Sequence, residues 1–444
     1  MSVFAANELF PGIPLSGRMP ALFSGISRDS RKVRPGNAYV ALGNSGERPR
    51  HLAEARTNGA TAIIGDFPEA DLVTSHPRWL FAHASSRAHG LHRHCPPVLG
   101  ITGTKGKSTI AHWLHACLGK GAARIGTIGW HDGHSERPNP QTTPPPEELH
   151  AFLAGLDPAC PGVAVEVSSH AGDQHRLAGI PLAALAVTGI GHDHLDYHGS
   201  VATYVQAKLR IVQLVAPGGL VIVNTADSRA DLFAHAAECR QLTVVHLDPT
   251  TAPFAVPLPG DFNAWNAQAA VLLAEHLGIP RATAIARLHT ASPVPGRLER
   301  LAESPITYVD YAHTPESIAN VLRAVRTAHP SAPVALVFGC GGDRDPSKRA
   351  PMGAAASTAN LVILTTDNSR NEDPATIAAE IIAGISGSVA VVKEPDRASA
   401  IRLARQRIGP AGVVVVAGKG HETTQIIRGV TYAWDDRAFV RSLA

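Results

Sequence analysis

The sequence predicts an α/β protein built on parallel sheets. Two observations predict this class: short runs of Val, Ile and Leu without polar alternation, and amphipathic segments between them. Unalternated apolar runs are typical of strands that are buried on both faces of a parallel sheet. The runs are TAIIGD (61–66), PPVLGITG (96–103), GVAVEVSS (162–169), AALAVTGI (183–190), GLVIVNT (219–225), PVALVFG (333–339), NLVILTT (360–366) and GVVVVAG (412–418).

The segments between these runs predict helices. STIAHWLHACL (108–118) and FNAWNAQAAVLLAEHL (262–277) carry apolar residues at i, i+3 and i+4 spacing. This spacing places the apolar side chains on one face of a helix, which can then pack against a sheet. Strands that alternate with such helices indicate crossover connections between parallel strands.

Chain length and two proline-rich joints predict three domains. The chain has 444 residues, and an average domain has about 150. HCPPV (94–98) and ASPVPGR (291–297) are the joints, because clustered Pro and Gly interrupt regular structure. We expect domains at residues 1–94, 95–292 and 293–444.

Composition indicates a folded protein that binds small molecules. The chain is 44% hydrophobic and 17% charged, with a formal net charge of +3, and no basic run predicts a nucleic-acid partner. No apolar stretch approaches the roughly 20 residues of a membrane span, and no secretory leader is visible, so we expect a cytoplasmic protein without a membrane partner. The 5 Cys residues are scattered without a CxxC pair, which predicts reduced thiols.

A glycine-rich loop predicts phosphate binding. LGITGTKGKST (99–109) follows a predicted strand and opens a predicted helix, where backbone N–H groups can surround phosphates. Lys107 would reach the β- and γ-phosphates and the Ser108 hydroxyl would bind Mg²⁺. An ordinary strand-to-helix turn is the alternative. The loop alone leaves motor, kinase and ligase open.

Two acidic or histidine-rich segments lie downstream. In EVSSH (166–170), Glu166 ends a predicted strand and could bind a metal or position water near the phosphate loop. GHDHLDYHG (191–199) is dense enough in His and Asp to indicate metal or phosphate chemistry. It nearly matches the HxHxDH run of metallo-β-lactamase-like hydrolases through His192, His194 and Asp196, except that Tyr197 replaces the last His. A polar surface loop is the third interpretation.

Lys208 lies further along, in the predicted helix TYVQAKLRI. An exposed helix lysine needs no functional explanation, and the residues alone do not assign it one.

Twelve motifs in order resemble those of one family, the Mur ligases, and within it the branch that adds the third amino acid of the peptidoglycan stem. The resemblance covers nearly the whole chain. The motifs are SRDSRKVRPGNAYVAL (27–42), GITGTKGKST (100–109), TTP (142–144), EVSSHAGDQHR (166–176), DHLDYHG (193–199), YVQAK (204–208), GDFNAWN (260–266), PGRLE (295–299), VDYAHTPES (309–317), FGCGGDRDPSKR (338–349), TDNSRNEDP (366–374) and AGKGHE (417–422).

The resemblance implies a three-domain architecture: an N-terminal domain for a UDP-sugar acceptor, a central P-loop ATPase domain and a C-terminal Rossmann-like domain for an amino acid. It implies catalytic roles for Lys107, Glu166, His194 and Lys208, with two Mg²⁺ ions and a carbamylated Lys208. The metal ligands would be Ser108, Glu166, His194 and Lys208. The implied ATP contacts are Gly103, Thr104, Lys105, Gly106, Lys107, Ser108, Thr109, Asn263, Asn266, Arg297 and Asp310.

The resemblance also implies the residues that bind the other two substrates. The acceptor contacts would be Ser30, Thr142, Thr143, Ser168, Gln174 and Arg176. The amino-acid contacts would be Arg344, Asp367, Asn368, Arg370, Gly418 and Glu422.

The implied reaction is ATP-dependent amide formation. ATP phosphorylates the carboxylate of UDP-N-acetylmuramoyl-L-alanyl-D-glutamate, and the amino group of a meso-diaminopimelate-like diamino acid attacks the acyl phosphate, releasing ADP and phosphate. In the diaminopimelate-adding branch an Asp-Asn-Pro-Arg motif supplies an arginine for the far carboxylate. Here the motif reads Asp367, Asn368, Ser369 and Arg370, and a guanidinium can pair with a carboxylate through two hydrogen bonds. The alternative places Arg370 in a polar surface loop.

Three departures from the family concern the acceptor side and the central domain. GNSGERPRHL (43–52) replaces a longer loop, Gly189 replaces an Asn, and HLDPTTAPFAVPLP (246–259) replaces a longer segment. These departures leave a second function open: a Mur-ligase homologue of a specialised natural-product pathway that joins an amino acid to a carboxylate without a nucleotide. A nucleotide sensor that does not ligate is a third class. We expect such a sensor to lack Lys107, Glu166 or Lys208, and all three are present.

Overall fold

Strands and helices alternate along nearly the whole chain, in the order that the apolar runs predict. The computed structural model describes residues 3–43, 46–139, 141–191, 193–248 and 253–443. The chain forms two units, Met1–Asp248 with Gln268–Leu288, and Pro249–Ala267 with His289–Ala444.

The first part of the chain forms a small parallel sheet with flanking helices. Its elements are β1 (Phe4–Ala5), α1 (Ala6–Leu9), β2 (Leu22–Phe23), β3 (Gly25–Ser27), a 3₁₀ turn (Ser30–Lys32), β4 (Asn37–Val40), α2 (Arg48–Thr57), β5 (Ala62–Gly65), β6 (Leu72–Val73) and α3 (Pro77–Ala88). Strands β3, β4, β5 and β6 are parallel and adjacent in that order, and β1 pairs antiparallel with β2. The predicted run TAIIGD contains β5, which is buried throughout.

The middle of the chain forms a larger sheet. Its elements are β7 (Val98–Thr102), α4 (Lys107–Leu118), β8 (Ala123–Ile125), β9 (Trp130–His131), β10 (Glu136–Arg137), α5 (Pro146–Ala154), β11 (Val163–Glu166), α6 (Ser169–Asp173), β12 (Leu182–Val187), α7 (Leu195–His198), α8 (Val201–Val212), β13 (Val215–Asn224), α9 (Ala230–Glu238), β14 (Thr243–Leu247), α10 (Asp261–His276) and α11 (Arg281–His289). The strand order is β10-β9-β8-β11-β7-β12-β13-β14. The six adjacent strands β8, β11, β7, β12, β13 and β14 run parallel to one another.

The last part of the chain forms a third sheet with order β15-β16-β20-β17-β18-β19, parallel except for β15. Its elements are β15 (Glu299–Glu303), β16 (Ile306–Asp310), α12 (Pro315–Ala328), β17 (Val334–Phe338), a 3₁₀ turn (Pro346–Lys348), α13 (Arg349–Ala356), β18 (Leu361–Leu364), α14 (Pro374–Ile382), β19 (Ala390–Lys393), α15 (Arg397–Ile408), β20 (Val413–Ala417), β21 (Thr424–Ile427), β22 (Val430–Ala433) and α16 (Asp436–Arg441). Strands β21 and β22 form a separate hairpin.

The α/β fold class and each of the eight predicted strands are confirmed. Each apolar run overlaps one observed parallel strand, and both predicted helices form, as α4 and α10. The runs lie in strands because their residues are buried on both faces: the four Val residues of β20 are all inaccessible to solvent. The structure also confirms five free thiols. Among the described residues no helix is long and apolar enough to cross a membrane.

Strand order in the two large sheets decides where ligands can bind. From β7 the chain goes to β8 and β11 on one side and to β12 and β13 on the other, so the connections diverge at β7. In the third sheet β20 inserts between β16 and β17, which produces a similar reversal. Ligands of open α/β sheets bind beyond the carboxyl ends of strands at such points. The loops after β7, β11, β18 and β20 are therefore the expected sites.

A buried ion pair ties α16 to the third sheet. Arg397 donates from Nε and Nη2 to the two carboxylate oxygens of Asp436, both at 2.7 Å, and neither side chain is more than 1% exposed. Nη2 also donates to the carbonyl of Ala417 at 2.9 Å, and the Trp434 indole donates to Asp436 at 2.7 Å. Because Ala417 ends β20, the pair also anchors the start of the loop that follows.

We expect Asp436→Ala to lower the free energy of unfolding by about 3–5 kcal/mol, because it leaves the Arg397 guanidinium buried without a counterion. Urea unfolding followed by circular dichroism measures the loss. The control is Glu303→Ala, which removes a surface pair with Arg300 whose side chains are 77% and 44% exposed. That loss should stay below about 1 kcal/mol. Equal losses in the two variants would contradict a structural role for the buried pair.

Candidate active site

The phosphate loop connects β7 to α4. Gly103 and Gly106 have φ of 134° and 84°, a region that favours glycine. A Cβ on Gly103 would lie 1.8 Å from Oγ1 of Thr188, so no side chain fits there. The Thr188 hydroxyl donates to the carbonyl of Lys105 at 2.6 Å, and the Thr104 amide donates to the carbonyl of Gly189 at 2.7 Å. The loop is thus held against the end of β12 in the form that a phosphate cradle requires.

Two lysines converge on one carbonyl group of this loop. Nζ of Lys107 lies 2.8 Å from the carbonyl oxygen of Gly103 and 3.0 Å from that of Thr104. Nζ of Lys208, from α8, lies 2.9 Å from the same Gly103 oxygen. Lys208 is only 1% exposed. Burial, reinforced by the charge of Lys107, lowers its pKa well below the usual value for lysine. Lys208 is therefore not the exposed helix lysine that its sequence context alone would indicate.

Glu166 lies at the end of β11, beside the phosphate loop. Its side chain is 1% exposed and accepts a hydrogen bond from the Ser108 hydroxyl at 3.0 Å. The amide and hydroxyl of Thr127 donate to it at 2.8 and 3.1 Å. A Cβ on Gly126 would lie 2.1 Å from its Oε1, so glycine permits the close approach. The structure thus brings Ser108 and Glu166 together, as the sequence predicts.

Thr127 joins the phosphate side of the site to residues predicted to bind the acceptor. Its hydroxyl is 2.9 Å from that of Thr142 as well as 3.1 Å from Glu166. Thr143 donates to the Glu166 carbonyl at 2.7 Å and lies 3.2 Å from the hydroxyl of Ser168. Motif reasoning missed Thr127, because a lone threonine after a short strand carries no sequence signal.

Arg176 and Gln174 extend this network. The Arg176 guanidinium donates to the carbonyl of Thr143 and, at 3.0 Å each, to the side-chain oxygens of Gln141 and Gln174. Burial and the nearby Arg28 charge lower the pKa of Arg176. The Ser30 side chain does not bond to this network, because its hydroxyl donates to Glu54 at 2.6 Å. Five of the residues predicted to bind the acceptor are therefore connected by hydrogen bonds, and the sixth, Ser30, has a different partner.

His194 directly precedes α7 and has φ of 51°, and its side chain is about half exposed. Its ring centroid is 4.9 Å from that of His170. Burial lowers the pKa of His194, the Asp193 carboxylate opposes this shift, and the charges of Lys107 and Lys208 add to it. Tyr197, which breaks the hydrolase-like motif, donates to Asp173 at 2.8 Å.

The part of the chain that the structure describes contains no group of three His, Cys, Asp or Glu side chains placed to hold a metal. The hydrolase-like cluster is therefore not formed by these residues, and His192 lies outside them. The hard oxygens of Ser108 and Glu166 instead suit Mg²⁺, which commonly takes one or two carboxylates and completes its shell with water and substrate phosphates. These residues fit the metal that the nucleotide loop implies.

Residues predicted to surround adenine and ribose lie in the second unit. Asn263 and Asn266 are both buried on α10, and their side chains bond to each other at 3.2 Å. Asp310 ends β16 and accepts from the amides of Leu298 and Ala312, both at 2.7 Å. The Arg297 guanidinium stacks 4.5 Å over the ring of Tyr311. The residues predicted to contact the phosphates, including Gly106 and Thr109, lie in the first unit, at the start of α4.

The predicted amino-acid residues follow three neighbouring strands of the third sheet. Arg344 follows β17 and is exposed, Asp367 to Arg370 follow β18, and Gly418 to Glu422 follow β20. Gly418 has φ of 110°, and a Cβ there would lie 2.4 Å from the Asp367 carboxylate, so the two loops are in contact. Arg370 has φ of 51° and donates to the carbonyl of Gly342 at 2.6 Å. Its guanidinium therefore lies within these loops and is not a free surface group.

Lys419 is a second residue that motif reasoning missed. It is fully buried, and its ammonium lies 2.9 Å from Glu422 and 3.2 Å from the amide oxygen of Asn368. The run GKGHE reads as a glycine-rich turn in which a lysine suggests exposure, so the sequence gives no sign of this burial.

The three departures have different outcomes. A Cβ on Gly189 would meet nothing closer than 3.9 Å, so the position has room for a side chain although the chain carries none. In GNSGERPRHL, α2 begins at Arg48, and residues 44 and 45 lie outside the described part. The segment at 246–259 begins with the end of β14, and residues 249–252 are likewise outside it.

Comparison with known proteins identifies the family of this chain. The chain matches the family Mur ligase middle domain over residues 101–250 and the family Mur ligase, glutamate ligase domain over residues 296–420. A folylpolyglutamate synthase of Mycobacterium tuberculosis complexed with ADP shares the fold, with a TM-score of 0.61 at 17% identity over 76% of this chain and 91% of its own.

Relatives of higher identity belong to one kind of enzyme. The UDP-N-acetylmuramoyl-L-alanyl-D-glutamate–2,6-diaminopimelate ligases of Agrobacterium fabrum and Rhizobium meliloti are each 37% identical over 94% of this chain, and the match covers 92% and 93% of their own lengths. A solved structure of a ligase of that name superposes with a TM-score of 0.71 at 30% identity, over 99% of this chain and 98% of its own. The resemblance seen in the motifs is confirmed: this chain belongs to the Mur ligase family of ATP-dependent amide ligases.

Proposed function

We propose that this enzyme joins a diamino acid, meso-diaminopimelate, to the carboxylate of UDP-N-acetylmuramoyl-L-alanyl-D-glutamate, with conversion of ATP to ADP and phosphate. Relatives with this specificity match over almost the whole chain. They favour the nucleotide acceptor over a specialised-pathway carboxylate. We place the reaction in the cytoplasm, the compartment that supplies ATP, and assign residues 1–94, 95–292 and 293–444 to acceptor, ATP and amino-acid domains.

One observation carries the proposal: the residues of the phosphate side and of the acceptor side share a single hydrogen-bond network. Ser108 bonds to Glu166, Glu166 to Thr127, and Thr127 to Thr142. Phosphoryl transfer needs the attacking carboxylate in line with the γ-phosphorus. A continuous polar path between the two groups of residues can hold both substrates in that geometry.

The reaction then follows from what these side chains do. Lys107 and the loop amides bind the nucleotide phosphates, while Thr142, Thr143, Ser168, Gln174 and Arg176 orient the acceptor. A carboxylate oxygen of the acceptor forms a bond to the γ-phosphorus, and the bond between that phosphorus and ADP breaks. The amine of the amino acid attacks the acyl carbon, and the tetrahedral intermediate expels phosphate to leave the amide. Lys107 and the polar network stabilise the charge that develops on the transferring oxygens.

Mg²⁺ bound by Ser108 and Glu166 would neutralise phosphate charge in the transition state. We propose a second ion near His194 and a carbamate on Lys208. Lysine reacts with CO₂ only as the neutral amine, and the burial of Lys208 favours that form. A carbamate would replace a cation with an anionic oxygen ligand in a site that already contains Lys107.

The direct test is phosphate release measured over a matrix of acceptors and amino acids. The acceptors are UDP-N-acetylmuramoyl-L-alanyl-D-glutamate, free L-alanyl-D-glutamate and unrelated carboxylates, and the amino acids are meso-diaminopimelate, lysine and ornithine. We expect turnover with the nucleotide acceptor and meso-diaminopimelate together, and no release when either is omitted. Turnover restricted to a carboxylate without a nucleotide would replace this proposal with the specialised-pathway function.

We expect Lys208→Ala to lower the ligation rate about 100-fold or more, on the order that loss of one charge-stabilising group costs. Short-chain carboxylic acids should restore part of the rate, since they can supply the missing anionic oxygen. The matched control is Lys120→Ala at an exposed turn, which should react normally. An undiminished rate in Lys208→Ala would remove this residue from the mechanism.

We expect Arg370→Ala to raise the KM for meso-diaminopimelate about 10- to 100-fold, because a charge-assisted pair with the far carboxylate is worth roughly 1.5–3 kcal/mol. Steady-state kinetics with the other two substrates saturating measures the change. Arg323→Ala, on the exposed side of α12, is the control. If the unmodified enzyme uses lysine and meso-diaminopimelate equally well, the assignment of this pocket is wrong.

We expect calorimetry to show that UDP-N-acetylmuramoyl-L-alanyl-D-glutamate binds far more tightly than free L-alanyl-D-glutamate, because the nucleotide supplies binding energy remote from the reacting carboxylate. Ser30→Ala should weaken binding of the nucleotide form and leave binding of the free dipeptide unchanged. Changes at Gly43 should act in the same direction, and so should changes at Ser45, which lies outside the described residues. Similar, weak binding of both ligands would show that no uridine pocket exists.

A further inference from the structure

Lys419 directly follows Gly418 in the loop after β20, yet its side chain is completely buried. Nζ lies 2.9 Å from Oε2 of Glu422 and 3.2 Å from Oδ1 of Asn368. A buried ammonium group is costly unless it is paired and hydrogen-bonded. Both of its partners here belong to the group predicted to bind the amino acid, so Lys419 connects two loops of that site.

The two partners of Lys419 also bond to each other. Nδ2 of Asn368 donates to Oε2 of Glu422 at 2.9 Å, and the Ile426 amide donates to Oδ1 of Asn368 at 2.9 Å. The Asn368 oxygen therefore faces two donors and its amide nitrogen faces an acceptor. This pattern allows only one orientation of the side-chain amide.

The network leaves one oxygen of Glu422 for another donor. Oε2 accepts from both Lys419 and Asn368, whereas Oε1 accepts no hydrogen bond from any residue that the structure describes. The Glu422 side chain is 30% exposed. An ionised carboxylate can accept about four hydrogen bonds, so Oε1 can receive the N–H donors of a substrate ammonium group.

We propose that Lys419 is a positioning residue, which holds Glu422 and Asn368 in the arrangement that binds the amino acid and itself contacts no substrate. The proposal rests on the function proposed above, which assigns Glu422 and Asn368 to the amino acid. A fully buried ammonium group bonded to both of these side chains can act on the substrate only through them.

The ammonium group also balances charge in this site. Asp367 and Glu422 contribute two carboxylates from facing loops, and the amino acid brings further carboxylates of its own. Lys419 places one positive charge 2.9 Å from Oε2 of Glu422, so the buried ammonium group and this carboxylate compensate each other. A methionine has similar length and shape but supplies no donor, so Oε2 would lose its ion pair and Oδ1 of Asn368 would lose one of its two donors.

The test is the KM for each of the three substrates in Lys419→Met. We expect the KM for meso-diaminopimelate to rise about tenfold or more, the effect of losing a hydrogen bond between charged groups. The KM values for ATP and the acceptor should change by less than about twofold. Lys393→Met, at the exposed end of β19, is the matched control and should leave all three values unchanged.

A double-mutant cycle separates positioning from a structural effect. Because Lys419 acts through Glu422, adding Lys419→Met to Glu422→Gln should raise the KM for the amino acid by much less than it does alone. If Lys419→Met folds poorly, Lys419→Met with Glu422→Met removes both charges together, which proteins often tolerate. That double variant should have the amino-acid KM of Glu422→Met alone.

Three results would overturn the positioning role: an unchanged amino-acid KM in Lys419→Met, an equal rise in all three KM values, or additive effects with Glu422→Gln. Each of them would leave the proposed function standing, provided that the unmodified enzyme ligates meso-diaminopimelate. An unmodified enzyme that does not use this amino acid would instead refute the proposed function, and the positioning role with it.

Discussion

The arrangement of the phosphate loop depends on one crowded carbonyl group. The Gly103 oxygen lies within 3 Å of two lysine nitrogens, that of Lys107 at 2.8 Å and that of Lys208 at 2.9 Å. Two ammonium groups so close repel each other strongly in a buried site. Lys107 begins α4 and can reach a bound phosphate, whereas the side chain of Lys208 is buried. The repulsion is therefore relieved most easily at Lys208, by loss of its proton.

This constraint explains why several neighbours are small or tightly bonded. A Cβ on Gly103 would clash with the Thr188 hydroxyl, so only glycine allows the loop to pack this closely against the residues that follow β12. Glu166 supplies a buried carboxylate, with Ser108 and Thr127 as its donors. Positive charge from the loop and negative charge from β11 are thus fixed in place before substrates bind, and a preorganised site of this kind needs little reorganisation during the reaction.

Much of the fold could be predicted from the sequence, because strands buried on both faces leave continuous Val and Ile runs, and a strand, a glycine-rich loop and GKS together specify a phosphate site. Lys107, Ser108 and Glu166 belong to such local patterns. Lys208 was assignable only through the family resemblance, since burial of a helix lysine depends on what packs against that helix.

Other contacts could not be predicted. Thr127 bonds to Glu166 across 39 residues of sequence and Lys419 to Asn368 across 51. The partner of Ser30, Glu54, also lies on a different element. Such pairs are set by the register of parallel strands and by loop conformations such as the left-handed Arg370, and no short motif contains that information. Local motifs therefore predict the reaction class, whereas the residues that position the substrates can be identified only from the structure.

The central claim is that ATP activates a carboxylate of the acceptor as an acyl phosphate. The most direct measurement uses an acceptor whose reacting carboxylate carries ¹⁸O, with mass analysis of the phosphate released in the presence of all three substrates. An acyl phosphate transfers one labelled oxygen from the carboxylate to each phosphate, so the account predicts one ¹⁸O per phosphate and the loss of one from the amide product. Unlabelled phosphate, formed while the acceptor keeps both labels, would contradict it.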